Sequence, residues 1–151
     1  MFEAVDPGTR CAGWALWDQR LVACGLVRSK RKSLGNRAND LSRQLQPVDL
    51  VVVEIPRAYP KNRKLSPNDL IDLAIVAGAC ARVGKESKLV LPVEWKGQTP
   101  KDICHKRVMS RLSREELLIV KAGVEGVPKS LRHNVYDAVG IARWHFTGEK
   151  L

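Results

Sequence analysis

Three acidic residues lie where their neighbours in the sequence favour burial. Asp6 ends an apolar run just before a Pro-Gly turn, Glu54 follows three valines, and Asp137 lies in an apolar segment. Buried carboxylates are rare unless they are paired or bind a metal ion, so three of them suggest a shared site. Carboxylate oxygens are preferred ligands of Mg²⁺, and two such ions can activate water and stabilise the leaving oxygen in phosphodiester cleavage. The pattern therefore favours metal-dependent hydrolysis of a phosphodiester.

Each acid also has an ordinary structural explanation. Asp6 suits a turn, where its side chain bonds to local backbone. Glu54 can reach solvent from a strand end, and Asp137 can pair with Arg132 or Arg143. Three such coincidences on one basic chain are less plausible than one shared site.

Charge gives a second indication of function. The 151 residues include 26 Lys and Arg against 16 Asp and Glu, a net charge of +10. Such an excess favours polyanions, most often nucleic acid. Basic residues concentrate at 28–37 and 57–64, which we expect to be loops where a phosphate backbone can lie.

The order of elements predicts how the acids come together. Period-two patterns and β-branched runs predict strands, and capping residues with apolar periodicity predict helices. The expected strands cover 2–6, 12–18, 21–28, 50–55 and 88–91, and the expected helices cover 35–46, 67–83, 100–110, a short stretch after Ser113, and 132–145.

This order predicts an α/β fold in one domain over residues 1–151. We expect a five-stranded mixed sheet, three antiparallel strands extended by two parallel ones, flanked by helices. If the first and fourth strands are neighbours, Asp6 and Glu54 meet at one edge of the sheet. Helix 67–83 is apolar around much of its circumference, which suits a helix that also packs against a partner.

The sequence also predicts where the protein acts. The chain enters a strand-like pattern at once, without a signal-peptide pattern, and no apolar run is long enough to span a membrane. The four cysteines show no zinc-ligand spacing and fit small apolar fillers in a reducing compartment. We therefore expect a cytoplasmic protein.

Three segments, in this order, resemble the motifs of one nuclease family. Residues 6–9 (Asp-Pro-Gly-Thr) with 13–15 (Gly-Trp-Ala) are similar to the first-strand motif of RuvC-type Holliday junction resolvases. Residues 51–54 resemble the fourth-strand motif of that family, and 133–138 resemble its last-helix motif. The short length and the Trp-Lys-Gly segment at 95–97 are more like bacteriophage-encoded members, which would act in the cytoplasm of a bacterial host.

The resemblance implies an RNase H-like fold and a homodimer that binds four-way DNA junctions. It implies symmetric nicking of two strands with Mg²⁺ or Mn²⁺, two ions in each active site. Asp6, Glu54 and Asp137 would be the metal ligands and catalytic residues.

A fourth ligand belongs to the last-helix motif. The family usually places it three residues before the final Asp, where this chain has Asn134, and His133 lies four residues before. Both offsets share a helix face with Asp137. We favour His133, because an imidazole binds divalent metals and can also move a proton to or from water. Asn134 remains the alternative.

The family also carries an aromatic wedge shortly after the fourth-strand Glu. This chain has Arg57 at the expected position, and Tyr59 is the nearest aromatic residue that could stack on an exposed base. His105 and His145 are interpreted as surface or packing residues. The predicted DNA contacts are Arg31, Lys32, Arg57, Tyr59, Lys61, Arg63, Lys64, Lys96, Lys101 and Arg132.

Three alternatives remain at this point. A nuclease of the same fold that cuts flaps or RNA–DNA hybrids would need the same carboxylates, and a non-catalytic protein could bind branched DNA. The phosphate loop of sugar-kinase-like and actin-like ATPases also begins with Asp-x-Gly-Thr, but these folds need two such domains around the nucleotide, and 151 residues leave room for one. We therefore expect no nucleotide cofactor.

Overall fold

One mixed β-sheet organises the fold in the computed structural model, which describes residues 1–57 and 66–150. Its strands are β1 (Phe2–Pro7), β2 (Cys11–Asp18), β3 (Arg20–Arg28), β4 (Val48–Glu54) and β5 (Gly84–Val90). Their spatial order is β3-β2-β1-β4-β5. The pairs β1–β2 and β2–β3 are antiparallel, whereas β1–β4 and β4–β5 are parallel. The predicted α/β class, with a five-stranded mixed sheet in which three antiparallel strands are extended by two parallel ones, is confirmed.

Six α-helices lie in the described residues, three of which begin with a serine cap. They are α1 (Leu34–Ser42), α2 (Pro67–Ala81), α3 (Pro92–Trp95), α4 (Lys101–Ser110), α5 (Arg114–Gly123) and α6 (Arg132–Thr147), with a 3₁₀ turn at Lys129–Leu131 before α6. Ser66 and Ser113 form capping boxes with the acids three residues later, so the predicted starts of α2 and α5 are confirmed.

The sheet is covered on both faces, and each face has its own apolar core. Helices α1 and α2 cover one face, where Leu41 and Val76 pack against Val51 and Val53. Helix α6 covers the other with help from α4 and α5. Val51, Val52 and Val53 of β4 are fully buried, as expected for a parallel strand between two helical layers.

Several predicted boundaries were wrong. Helix α1 ends at Ser42 rather than at residue 46, because the chain forms a turn before Pro47. Strand β5 begins at Gly84, directly after α2, rather than at residue 88. Its first residues are charged and exposed because β5 lies at the sheet edge, so they show no strand pattern in the sequence. Helix α3 and the 3₁₀ turn were not predicted.

One carboxylate is buried on the face away from α6. Glu3 lies on β1 with no exposed surface. Its Oε1 accepts a hydrogen bond from the backbone N–H of Gln46 at 3.5 Å, and its Oε2 has no partner in the described part of the chain. Burial raises the pKa of Glu3 to about 7, and the Gln46 hydrogen bond offsets this only in part.

No helix among the described residues is both long enough and apolar enough to cross a membrane.

Candidate active site

The sheet brings two of the three predicted acids to one edge. Strands β1 and β4 are parallel and pair Val5 with Val53, so Asp6 and Glu54 follow at the carboxyl ends of neighbouring strands. Alternate residues of a strand point to the same face, so Asp6 and Glu54 point to the same face of the sheet as Ala4 and Val52. Ala4 and Val52 pack in the core beneath α6. The two carboxylates therefore face the helix that carries Asp137.

A glycine allows that helix to approach the sheet. Gly13 of β2 pairs with Asp6 across the antiparallel ladder. A Cβ atom on Gly13 would collide with the backbone carbonyl of Asn134 in the first turn of α6. Because Gly13 has no side chain, α6 packs directly on β2 and places Asp137 beside Asp6.

Asp6 has a buried carboxylate. Its residue is 9% exposed, and among the described residues it accepts no hydrogen bond and forms no ion pair. Burial raises the pKa of Asp6 well above its usual value, and the negative charges of Asp137 and Glu54 raise it further. Lys96 and Lys101 offset only part of this effect. A bound cation would stabilise the charged form of this carboxylate, so the surroundings of Asp6 favour cation binding.

Glu54 is held by two neighbouring side chains. The indole Nε1 of Trp95 donates a hydrogen bond of 2.5 Å to its Oε2, and the ammonium group of Lys96 lies 3.7 Å from the same oxygen. Burial still raises the pKa of Glu54, against the opposing effects of Lys96 and Trp95. One oxygen of Glu54 is therefore held in place within the site.

Asp137 is surrounded by positive or hydrogen-bonding groups. His105 Nε2 lies 2.8 Å from its Oδ1, and the ammonium groups of Lys101 and Lys96 lie 3.3 Å and 3.9 Å from its Oδ2. Burial acts to raise the pKa of Asp137, but the hydrogen bond from His105 and the two lysines outweigh it, so the pKa is lowered. Asp137 is the most readily ionised of the three acids.

The alternative pairing of Asp137 does not occur. Arg132 donates to the backbone carbonyl of Val127, and Arg143 pairs with Glu149.

Lys96 is the internal cation of the site. Its ammonium group lies between Glu54 and Asp137, and only 20% of its side chain is exposed. Burial acts to lower the pKa of Lys96, but Asp137, Glu54 and Asp6 outweigh it and the pKa is raised. Lys96 therefore stays charged and partly neutralises the three acids.

The donor set fits a hard divalent cation in chemistry but is not assembled around one. Three carboxylates, one of which has no partner within the described residues, supply the oxygen ligands that Mg²⁺ and Mn²⁺ prefer. Within residues 1–57 and 66–150, however, no group of three or more His, Cys, Asp or Glu side chains could hold a metal ion as it stands. The ammonium group of Lys96 lies between two of these carboxylates, so a metal ion and Lys96 would compete for the same oxygens.

The two alternatives for the fourth ligand lie in different surroundings. His133 is half-buried. Burial and the charge of Lys101 lower its pKa, and the charge of Asp137 opposes them, so His133 lies near Asp137. Asn134 is buried, and its amide donates to the sulfur of Cys11 at 3.4 Å. The choice of His133 remains a prediction.

Two residues of the site were missed by sequence reasoning. His105, interpreted above as a surface or packing residue, has a side chain only 17% exposed and touches Asp137. Trp95 is fully buried and bonds to Glu54. Both lie on helices whose packing against α6 cannot be seen in the local sequence, although the offset from Lys101 to His105 places both on one helix face.

The predicted DNA contacts fall into three groups. Arg31, Lys32 and Arg57 are exposed, whereas Arg132 is half-buried and donates a hydrogen bond to the backbone carbonyl of Val127. Lys96 and Lys101 are ion-paired with the acids of the site. The remaining predictions lie outside the described residues: Tyr59, Lys61, Arg63 and Lys64.

Comparison with known proteins adds little to this geometry. No model of a known protein family matches the chain, and no curated protein matches its sequence. Among solved structures, the chain is similar to the RuvC structure of Thermus thermophilus, with 16% sequence identity and a TM-score of 0.47. The match covers 97% of this chain and 94% of that one. A similarity of this degree carries no conclusion about the residues of the site.

Proposed function

We propose that residues 1–151 form one nuclease domain that cuts branched DNA, with four-way junctions as the principal substrate. The observation that carries the proposal is the meeting of Asp6, Glu54 and Asp137 at one sheet edge, in a chain with a net charge of +10. Acids that bind metal and surrounding bases that bind phosphate are the two requirements of a metal-dependent nuclease.

Asp6, Glu54 and Asp137 would hold Mg²⁺ or Mn²⁺, two ions in each site, with His133 as the fourth ligand. When bound, these ions activate water and stabilise the leaving oxygen in phosphodiester hydrolysis. The bond from Trp95 fixes the position of Glu54, and the bond from His105 fixes that of Asp137. Lys101, half exposed beside Asp137, is placed to contact the phosphate that enters the site.

Lys96 has a different part in the proposal. In the metal-free protein its ammonium group offsets the charge of Glu54 and Asp137. If a metal ion were bound by Glu54 and Asp137, the ammonium group of Lys96 would be available to contact a DNA phosphate. This is the role that the sequence predicts for Lys96.

The protein acts as a two-fold dimer, because two symmetric nicks require two sites. The outward face of α2 supports this part of the proposal: Ile71 is 57% exposed and Ile75 is 45% exposed, on the same side of the helix. Light scattering should give twice the mass of one chain, and Ile75→Asp should give a monomer. A wild-type monomer, both free and on DNA, would remove the dimer.

A cleavage panel tests the function. Wild-type protein is incubated with four-way junction, flap, duplex and RNA–DNA hybrid, in Mg²⁺, Mn²⁺ or EDTA. We expect paired nicks in the junction, in either metal and not in EDTA. Preferred cutting of flaps or hybrids would change the substrate, and binding without cutting of any of the four would indicate a non-catalytic protein.

Variants of the three acids separate chemistry from binding. Asp6→Asn, Glu54→Gln and Asp137→Asn should each abolish cleavage and keep junction binding, since removing a negative charge does not weaken phosphate contacts. Asp18→Asn is the matched control and should cut normally. Asp18 is a 63% exposed acid at the end of the strands opposite to Asp6 and Glu54. An acid variant that cuts at the wild-type rate is not a ligand.

A further inference from the structure

A continuous groove follows the outward side of α1. Three adjoining cavities share lining residues: the central one shares Asn39 and Arg43 with the second, and Arg31 and Asp40 with the third. We call this surface the α1 groove; its polar and charged lining residues are Arg28, Lys30, Arg31, Asn36, Asn39, Asp40, Ser42, Arg43, Gln44 and Arg82.

The α1 groove is basic. Among the described residues that line it, five are Lys or Arg and one, Asp40, is acidic. Within the part of the chain that the structure describes, none of the five forms an ion pair. Arg37, just outside the groove, differs because its guanidinium group donates to the carbonyls of Thr9 and Lys32. The groove cations thus remain available to a ligand.

The donors suit the backbone of a nucleic acid. Guanidinium groups pair well with phosphate oxygens, and amide side chains such as those of Asn36 and Asn39 add further donors of the kind found at DNA backbones. Among the described residues, no aromatic side chain on which a base could stack lines the groove. The groove therefore fits phosphates rather than bases.

The position of the groove connects it to the active site. Arg28 ends β3 and pairs with Cys11 at the start of β2, so this end of the groove lies at the sheet edge that carries Asp6. From there α1 leads away on the face opposite α6. Its nine residues span about 13 Å, which matches the rise of roughly four nucleotides along one DNA strand.

We propose that the α1 groove is a second nucleic-acid track, which holds the phosphodiester backbone of a DNA arm that leads away from the cut strand. This inference rests on the proposed function, because it takes DNA as the substrate of the site at the sheet edge. The track adds affinity without reading sequence, since its contacts are to phosphates.

Binding in metal-free buffer tests the groove independently of cleavage. Fluorescence anisotropy with a four-way junction, over a series of salt concentrations, gives the slope of log K against log salt. Arg31→Gln with Arg43→Gln should make this slope shallower by about 1.8, at about 0.9 for each lost phosphate contact. Lys30→Gln with Arg82→Gln, at the two ends of the groove, should produce a similar change.

The matched control removes two positive charges elsewhere. Arg114 and Lys121 are exposed on α5, on the far side of the sheet, and Arg114→Gln with Lys121→Gln should leave the slope at its wild-type value. If the groove and control variants made the slope shallower by the same amount, the effect would be due to net charge alone and the proposal would be overturned. An unchanged slope in both groove variants, or displacement of DNA by polyglutamate as readily as by unlabelled duplex, would also overturn it.

Failure of the nuclease proposal would look different. Wild-type protein that binds DNA with a groove-dependent slope, yet cuts nothing in the cleavage panel, would remove the nuclease and leave the α1 groove as a DNA-binding surface.

Discussion

Replacement of Glu3 with glutamine should stabilise the protein in alkaline solution and leave its stability nearly unchanged in acid. Glu3 is buried on the face of the sheet away from the active site, where its Oε2 has no partner among residues 1–57 and 66–150. The folded protein therefore holds a proton on this carboxyl group up to a pH of about 7, whereas the unfolded chain releases it near 4.5. Glutamine keeps the shape of the side chain and cannot ionise.

The sign and size of the effect follow from this difference in pKa. The pKa of Glu3 is higher in the folded protein than in the unfolded chain, so binding of a proton by Glu3 stabilises the folded state. This stabilisation is fully present below the pKa of the unfolded chain and is lost as the pH rises through the pKa of the folded protein. A change from 4.5 to about 7 corresponds to about 3 kcal/mol, at roughly 1.4 kcal/mol for each tenfold change in proton affinity. Above a pH of about 8, Glu3→Gln should therefore be more stable than wild type by about 3 kcal/mol.

Urea unfolding across this pH range measures the effect. Wild type and Glu3→Gln are compared at each pH, so that all other titrating groups cancel in the difference. Glu116→Gln is the control with the opposite sign. Glu116 accepts hydrogen bonds from the backbone N–H groups of Leu21 and Ser113; burial acts to raise its pKa, but these bonds outweigh it and the pKa is lowered. Glu116→Gln should lose stability most at neutral pH and least in acid.

A constant difference between Glu3→Gln and wild type over the whole range would refute the reasoning. It would mean that the carboxyl group of Glu3 releases its proton at the same pH in the folded and the unfolded protein, and therefore that water reaches this group in the folded protein.

Three further predictions concern the site. His133→Ala should lower the cleavage rate by about 10²-fold with little loss of binding, and Asn134→Ala should cost less; the reverse order in single-turnover cleavage would transfer the ligand role to Asn134. Lys96→Gln should bind Mn²⁺ more tightly in titration calorimetry, because the competing ammonium group is gone; an equal or weaker affinity would contradict that competition. Gly13→Ala should destabilise the protein by about 1–3 kcal/mol, since the new Cβ meets the backbone of α6; an unchanged urea midpoint would show that α6 can shift without cost.

Local sequence was sufficient for the parts of the site that depend on strands. Asp6 and Glu54 stand out because apolar neighbours surround them, and the order of elements was enough to place β1 beside β4. Asp137 stands out in the same way within α6. In each case a local pattern and a simple rule of topology decided the position.

Contacts between helices could not be predicted in this way. The bonds from Trp95 to Glu54 and from His105 to Asp137 depend on how α3 and α4 pack near α6. Nothing in the periodicity of a short helix fixes its angle to a distant one. The exposed start of β5 was missed for a related reason: an edge strand can carry charges on both faces, and its sequence then shows no alternation.

The bond between Trp95 and Glu54 gives the protein an optical reporter at its own site. An indole N–H can only donate, so Trp95 depends on the oxygen of Glu54 for its partner. Any cation or phosphate that shifts the carboxylate of Glu54 changes the electric field at the indole ring of Trp95, which is fully buried. The emission of Trp95 should therefore respond to occupancy of the site without any added dye. With Trp14, Trp17 and Trp144 replaced by phenylalanine, titrations could be followed by the intrinsic fluorescence of this one residue.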